Sequence, residues 1–464
     1  MITLPSVFSE QLQHHLAGRI LLEPEIPFSP ELVEQHLKQG WIRAEPAIQG
    51  EFPHCVCLRC GNRALHLFAE FPCAHCGKTS IYCRNCLMMG RVTACKPLIT
   101  WAGPAPAFHP PRHPLHWDGT LSEGQQSASE AVKAAILQKN ELLIWAVCGS
   151  GKTEIVFKGI EAALANGERV CIATPRTDVV LELAPRFRRV FPDIPIAALY
   201  GGSPDRHKWA QLVISTTHQL YRFASAFDAV IVDEVDAFPY TFDETLQRAV
   251  QKAAKDHCAR IYLTATPSET WQLECKAGKR PFVTIPARYH RKPLPVPVFK
   301  WAGNWRKKFE KGKLPVPVEA WVKKRLESRK QALLFLPNIR LMKKAEPVFK
   351  QLHPAIESVH AEDPDRKEKV ERMRACKTPL LLTTTILERG VTFPNIDVCV
   401  VGAEDAIFTE AALVQIAGRA GRSADFPSGD VTFFHYGKSN AMVKAQRHIL
   451  SMNEEAGKRG LLDA

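Results

Sequence analysis

The sequence predicts an α/β protein with two parallel-sheet domains behind a small cysteine-rich module. Three observations carry that expectation. Short apolar runs alternate with helical stretches from about residue 120 onward, a phosphate-binding turn follows the first run, and three Cys-x2-Cys pairs crowd the segment before it. At 464 residues the chain exceeds one ordinary domain, so each unit can bury its own core.

Residues 1–50 read as a helical segment, with polar and apolar residues at helix-like intervals and Ser29 placed to cap a helix over Pro30 to Leu37. Residues 51–100 hold the pairs Cys57 and Cys60, Cys73 and Cys76, and Cys83 and Cys86, each with the spacing of a structural Zn²⁺ knuckle. One tetrahedral ion takes two pairs. The third is surplus unless Cys55, Cys95 or a histidine such as His54, His66 or His75 completes a second site. Four thiolates leave no position for a substrate, so a structural ion in a zinc-binding module is expected.

Residues 101–118, GPAPAFHPPRHPLHW at their centre, read as a stiff linker. The first α/β domain follows at 119–284, with strands LLIWAV, RVCIAT, AVIVDE and RIYLTAT. A basic, proline-rich segment at 285–317 separates it from a second domain at 318–464, with strands ALLFLP, PLLLTTT, DVCVVG and VTFFHYG. Such alternation implies parallel sheets with crossover helices. The interlobe segment mixes Arg288, Tyr289, His290, Arg291 and Lys292 with Trp301, Trp305 and Arg306. These could stack on bases while neutralising phosphates, or the tryptophans could pack in a core.

Strand LLIWAV runs into Ala146-Val147-Cys148-Gly149-Ser150-Gly151-Lys152-Thr153, the phosphate-loop pattern with alanine in place of its first glycine. Backbone amides around Gly149, Ser150 and Gly151 would close on the phosphates of ATP. Lys152 would meet the β- and γ-phosphates, and Thr153 would hold Mg²⁺. Strand AVIV ends at Asp233-Glu234-Val235-Asp236, at the sheet edge where ligands bind in this architecture. Asp233 would orient Mg²⁺ through its water, and Glu234 would polarise the attacking water. Upstream, Ser122 is a candidate N-cap and Gln125 a candidate reader of the adenine edge. Far downstream, Gln415-Ile416-Ala417-Gly418-Arg419-Ala420-Gly421-Arg422 puts two guanidiniums in one turn. Carried on the second lobe, Arg419 and Arg422 can stabilise a phosphoryl group in transfer across a cleft.

Lysine and arginine number 61 against 48 acids, a net charge of +13 with a pI near 9.1, which favours a polyanionic partner or an anionic membrane surface. The longest apolar runs, such as Leu142 to Cys148, fall well short of the roughly twenty residues of a membrane span. The opening MITLPSVFSEQLQHHL lacks the basic-then-apolar pattern of a secretory leader, so a cytosolic, reducing setting is expected and the fourteen cysteines are not expected to form disulfides.

In order, the segments resemble the motifs of superfamily 2 helicases and translocases: ATPRTD from Ala173, STTHQL from Ser215, TAT from Thr264, TTTILERGV from Thr383, and QIAGRAGR. That resemblance implies RecA-like domains. It places Pro175 and Arg176, Thr216 and Thr217, and Thr384 and Thr385 on a nucleic-acid backbone, as hydroxyls and amides at helix starts would be. It also makes Thr264-Ala265-Thr266 a coupling element and sets Glu388, Arg389 and Gly390 in the interlobe cleft.

With YCRNCLMMGRV, LLIWAVCGSGKTE, RVCIATPRTDVVLELAPR, VDEVDAFPY and IPARYHRKPLP, the chain is similar to the ComFA family of competence DNA-uptake ATPases. The resemblance implies Cys57, Cys60, Cys83 and Cys86 as the Zn²⁺ ligands and leaves Cys73 and Cys76 to an alternative or second site. It further implies an ATP-driven motor on single-stranded DNA, the partners ComFC, DprA and the ComEC channel, and room for peripheral attachment to the inner face of the cell membrane and for an oligomer. The competing expectation is a primosome-like helicase of replication restart.

Overall fold

A computed structural model describes residues 8–389 and 391–463. The first lobe is a seven-stranded, wholly parallel sheet in the spatial order Ile196–Leu199, Leu212–Thr216, Val170–Thr174, Phe227–Asp233, Ala254–Thr264, Glu141–Ala146, Phe282–Ile285. The second is a six-stranded parallel sheet, ordered Val298–Trp301, Val431–His435, Ile396–Val401, Gln331–Phe335, Leu380–Thr383, Glu357–Val359. Inner strands such as Val170–Thr174 and Ile396–Val401 are buried along their whole length, as a sheet covered on both faces requires. The motif residues sit just past the carboxyl ends of these strands.

The N-terminal segment is not only helical. Helices Glu10–Leu16 and Pro30–Lys38 form, the second capped by the Ser29 hydroxyl, which accepts from the Leu32 amide. Between and after them lie strands Ile20–Leu22 and Ile42–Glu45, which pair antiparallel with Leu98–Trp101 from the far end of the cysteine module. Three- and four-residue strands are too short to show an alternation in the sequence. Residues 8–50 and 51–100 are therefore one interleaved unit.

That unit shares a core with the first lobe. Cys57, Cys60, Phe68, Cys83, Cys86 and Val92 belong to the same buried apolar cluster as Leu220, Phe227 and Leu246. Glu25 fastens the junction: its carboxylate accepts from Arg59 Nη2 at 2.5 Å, Arg222 Nε at 2.6 Å and Arg206 Nη2 at 2.8 Å. Residues 102–118 form no helix or strand. Phe108 there stacks on Trp209, whose ring also lies 4.1 Å from the Arg169 guanidinium, so the linker runs pinned along the first lobe.

The interlobe segment likewise has more structure than a connector. Phe282–Ile285 is an edge strand of the first sheet, and Val298–Trp301 an edge strand of the second, which thus begins near residue 298 rather than 318. Lysine at position 300 and proline on either side of Val296 hide that strand from pattern reading. Trp305 packs in the second-lobe core at 1% exposure and donates from Nε1 to Glu404 Oε1 at 2.7 Å. Trp301 remains 67% exposed.

Candidate nucleotide cleft and cysteine clusters

Strand Glu141–Ala146 delivers the chain into the phosphate turn, where Gly149 and Gly151 adopt φ of +82° and +75°. A Cβ on Gly151 would lie 2.3 Å from the Gln125 side-chain nitrogen, so the turn closes only with glycine there. Lys152 Nζ donates to the Ala146 and Val147 carbonyls at 3.1 and 3.5 Å, inside the turn where a phosphate would be held. Ser122 caps helix Glu123–Leu137 as expected. Gln125 completes that cap, accepting from the Ser122 amide at 2.8 Å, and donates to the Ser150 carbonyl at 2.8 Å. Its amide thus grips the phosphate turn itself at the wall of the cleft.

Strand Phe227–Asp233 brings Asp233 and Glu234 to the opposite wall. Burial, followed by the neighbouring Glu234 charge, pushes the Asp233 carboxyl up to about 7 against the pull of Lys152. A carboxylate so placed calls for a cation, as Mg²⁺ would supply beside Thr153. Glu234 takes the left-handed conformation at φ +58°, and its buried Oε2 has no hydrogen-bond partner. Arg389 Nη1 stands 3.5 Å from that oxygen.

The second lobe closes the cleft. Arg389, Gln415, Arg419 and Arg422 line the same space as Lys152, Thr153, Asp233 and Glu234, a cavity of about 470 Å³, large enough for a nucleotide. Buried Arg419 donates from Nε to the Glu388 carbonyl at 2.8 Å and from Nη1 to the Val391 carbonyl. Its Nη2 is buried without a partner, as is Ser150 Oγ. Burial, then the nearby Arg422 charge, disfavours the Arg419 cation, so an anion in the cleft would be welcome. Arg422 donates from Nε to the Gly418 carbonyl at 3.0 Å. The lobes touch closely here: a Cβ on Gly418 would sit 2.5 Å from that of Cys148, and the Cys148 thiol donates to Gln415 Oε1 at 3.0 Å. Gly390 lies outside the described residues.

Other contacts were not foreseen. Asp236, silent in the sequence reading beyond its place in the acidic turn, accepts from Arg389 Nη2 at 2.5 Å, Thr264 at 2.8 Å and Thr266 at 2.6 Å. Its carboxyl is pulled to about 2: burial alone would raise it, but Arg389 and both threonines outweigh that. Arg288, expected among base-stacking cations, is buried, donating to the Gly418 carbonyl at 3.3 Å and to the Gly421 carbonyl. Tyr289 lines the nucleotide cleft instead, its amide bonded to the Gly149 carbonyl at 3.1 Å. The only sequence signal for these roles was proximity to motifs already quoted.

Arg176, Thr216 and Thr384 each stand at the N-cap of a helix or 3₁₀ turn, at a strand's carboxyl end. Pro175, Thr216 and Thr217 are buried, while Thr384 and Thr385 are half-buried. Arg176 ion-pairs across the cleft with Glu388 at 2.6 Å, and Arg366 with Asp178 at 2.5 Å, so two first-lobe helix starts are tied to the second lobe.

Cys57, Cys60, Cys83 and Cys86 are all buried, with their sulfurs within 4.8 Å of one another. Cys57 to Cys86 is 3.8 Å and Cys60 to Cys83 is 3.7 Å. Sulfurs about 2.3 Å from one tetrahedral zinc lie about 3.8 Å apart, so this donor set fits the ion. Cys73, Cys76 and Cys95 gather separately. No helix among the described residues is long and apolar enough to cross a membrane.

Comparison with known proteins agrees with this geometry. A family model described as the Competence protein ComFA N-terminal domain matches residues 6–100, one described as Type III restriction enzyme, res subunit, matches 118–269, and one described as Helicase conserved C-terminal domain matches 317–424. Competence protein ComFA of Bacillus subtilis is 50% identical over 98% of this chain and 97% of its own length, and that of Streptococcus pneumoniae is 35% identical over 95% and 98%. Replication restart protein PriA of Rickettsia felis is 29% identical over 45% of this chain and 35% of its own. Among solved structures, the Mycobacterium smegmatis helicase Lhr bound to ssDNA and AMP-PNP superposes with a TM-score of 0.51 at 18% identity, covering 72% of this chain and 50% of that one. S. cerevisiae Dbp5 bound to RNA and ADP BeF3 gives 0.50 at 14%, over 74% and 98%. These last two likenesses are of fold: two RecA-like lobes.

Proposed function

The chain belongs to the ComFA family of competence proteins and is a nucleotide-dependent enzyme of the superfamily 2 helicase type; on that premise we propose that it is an ATP-driven single-stranded DNA translocase powering or assisting DNA import across the cytoplasmic membrane during natural transformation. The observation that carries the motor reading is the cleft, in which Lys152, Asp233 and Glu234 of one lobe face Arg419 and Arg422 of the other.

In this reading Lys152 exchanges its carbonyl contacts for the β- and γ-phosphates. Thr153, and Asp233 through a water, would hold Mg²⁺, whose charge would offset that of the phosphates. Glu234 positions the attacking water with its unpartnered oxygen, and Arg419 and Arg422 stabilise the charge that develops on the transferred group. Glycine, serine and Gln125 around the turn fix the nucleotide. Closure would be sensed through Arg389 and Asp236, whose carboxylate also accepts from Thr264 and Thr266 of the proposed coupling element.

That path runs over Pro175, Arg176, Thr216, Thr217, Thr384 and Thr385, where helix starts offer amides and hydroxyls to phosphates without reading bases. The +13 charge supports a polyanionic track. Zn²⁺ in the four-thiolate cluster would hold the N-terminal unit in shape. Family membership makes ComFC, DprA and the ComEC channel the expected partners at the inner face of the membrane.

The test is ATP hydrolysis by the full chain with single-stranded DNA, duplex DNA or RNA at low salt. Stimulation by single-stranded DNA is expected. No stimulation by any polynucleotide would sink the motor reading, and displacement of a duplex strand at the same rate as hydrolysis would favour a restart-type helicase.

A further inference from the structure

The second cysteine cluster lies at the opposite end of the hairpin that carries the first. Strands Phe68–Pro72 and Thr79–Cys83 pair antiparallel, with Cys83 at the end committed to the four-thiolate cluster and the knuckle Cys73-Ala74-His75-Cys76 forming the turn. Strand Val92–Thr93 pairs with the outer edge of this hairpin, and its continuation, with the Ala94 amide on the Ile81 carbonyl at 2.9 Å, sets Cys95 beside the knuckle. Cys73, Cys76 and Cys95 thus bring three sulfurs within 4.8 Å of one another, Cys73 and Cys95 at 3.5 Å.

The backbone of this turn repeats that of the four-thiolate site. In the first knuckle, the Gly61 amide donates to the Cys57 carbonyl at 2.8 Å, the Cys57 amide to Asn62 at 3.0 Å, and Gly61 has φ +74°. In the second, the Gly77 amide donates to Cys73 at 2.9 Å, the Cys73 amide to Lys78 at 3.0 Å, and Gly77 has φ +67°. The Ser80 hydroxyl, on the strand flanking the cluster, is buried with no partner, a donor available to a coordinated thiolate.

A disulfide between Cys73 and Cys95 would explain two of these sulfurs and leave Cys76 and the knuckle unexplained. We propose that Cys73, Cys76 and Cys95 bind a second Zn²⁺ ion as three thiolates, with the fourth position taken by an exchangeable solvent ligand. Among the described residues, no histidine, aspartate or glutamate joins the three sulfurs. Cys76 is exposed, and Cys73 and Cys95 line a surface cavity with Phe71, Met88 and Arg91, which gives the fourth ligand access. Binding converts three thiols to thiolates and releases their protons to solvent. The site would order a hairpin tip that is otherwise exposed from Ala74 to Thr79.

The experiment is the zinc content of the full chain purified with Zn²⁺ under reducing conditions. Two ions per chain are expected, falling to one in Cys73→Ser and in Cys95→Ser. A second measurement keeps the test independent of any folding defect: the unmutated chain, loaded with Co²⁺, should shift its visible absorption when imidazole is added, because one of its two sites accepts an outside ligand. One zinc per chain, unchanged in Cys73→Ser, would overturn the proposal. So would a mass two hydrogens low with Cys73 and Cys95 joined, or a cobalt spectrum indifferent to imidazole.

Discussion

Arg389 of the second lobe and Asp236 of the first meet at 2.5 Å in a buried ion pair, and the same carboxylate is held by Thr264 and Thr266. The pair is buried on both sides, and removing one partner strands the other's charge. Breaking such a pair costs about 3–5 kcal/mol. Arg389→Ala should therefore loosen the interlobe closure and lower ATP turnover at least about tenfold, the amount about 1.4 kcal/mol of lost organisation would give. Small-angle scattering should show a larger radius of gyration. Turnover within twofold of the parent would remove the pair from the cycle.

The same pair has a defined pH signature. Asp236 is depressed from 3.8 to about 2, so its contribution is present above pH 3.8 and lost as pH falls through about 2. The shift is worth about 2 kcal/mol. Acid unfolding of Asp236→Asn should lack this part of the slope, while between pH 5 and 8 parent and variant should show parallel stability curves. A difference in slope in that neutral range would mean that another group governs closure.

Lys152→Ala should abolish binding of a fluorescent ATP analogue, since among the described residues Lys152 is the one lysine lining the cleft. Glu234→Gln should bind the analogue normally yet hydrolyse ATP about 10²-fold more slowly, or worse, as expected when a positioning carboxylate is lost. Equal loss of binding in both variants would mean that Glu234 organises the turn rather than the water.

Arg288 does not line the nucleotide cavity but anchors the Gly418 and Gly421 carbonyls on either side of Arg419. Burial, then the Arg422 charge, pushes its guanidinium down to about 10, so those carbonyls hold it at some cost. Arg288→Leu should let the turn drift, lowering kcat by about tenfold to a hundredfold with KM little changed. Steady-state kinetics decide: a raised KM at unchanged kcat would assign Arg288 to ground-state binding.

Cys57→Ser should destabilise more than the cysteine module. Because its cluster is continuous with the first-lobe core, thermal unfolding of the lobe and of the module should fall together, by several kcal/mol, as for loss of a structural metal site. Two separated transitions, with the lobe at its parent midpoint, would contradict the shared core.

The sequence made the cleft legible because its chemistry is local: a glycine turn after an apolar strand, or acids at a strand end, can be read within ten residues. Lys152, Asp233, Glu234, Arg419 and Arg422 line one cavity. Links between distant elements were not legible. Asp236 and Arg389 are 153 positions apart, and Arg288 looked like one more cation in a basic run until packing placed it beneath Gly421. Strand Val298–Trp301 was hidden for a different reason, since an edge strand buries little and needs no continuous apolar run.

The common core of the cysteine module and first lobe, with Glu25 gripping three arginines across their junction, makes the two a single body. In the motor proposed above, the second lobe would be the moving arm, joined to this body through residues 286–297. Whatever docks on the module is then carried as rigidly as the phosphate turn itself, and a distance measured from the module to the first lobe should stay fixed through a turnover while that to the second lobe swings.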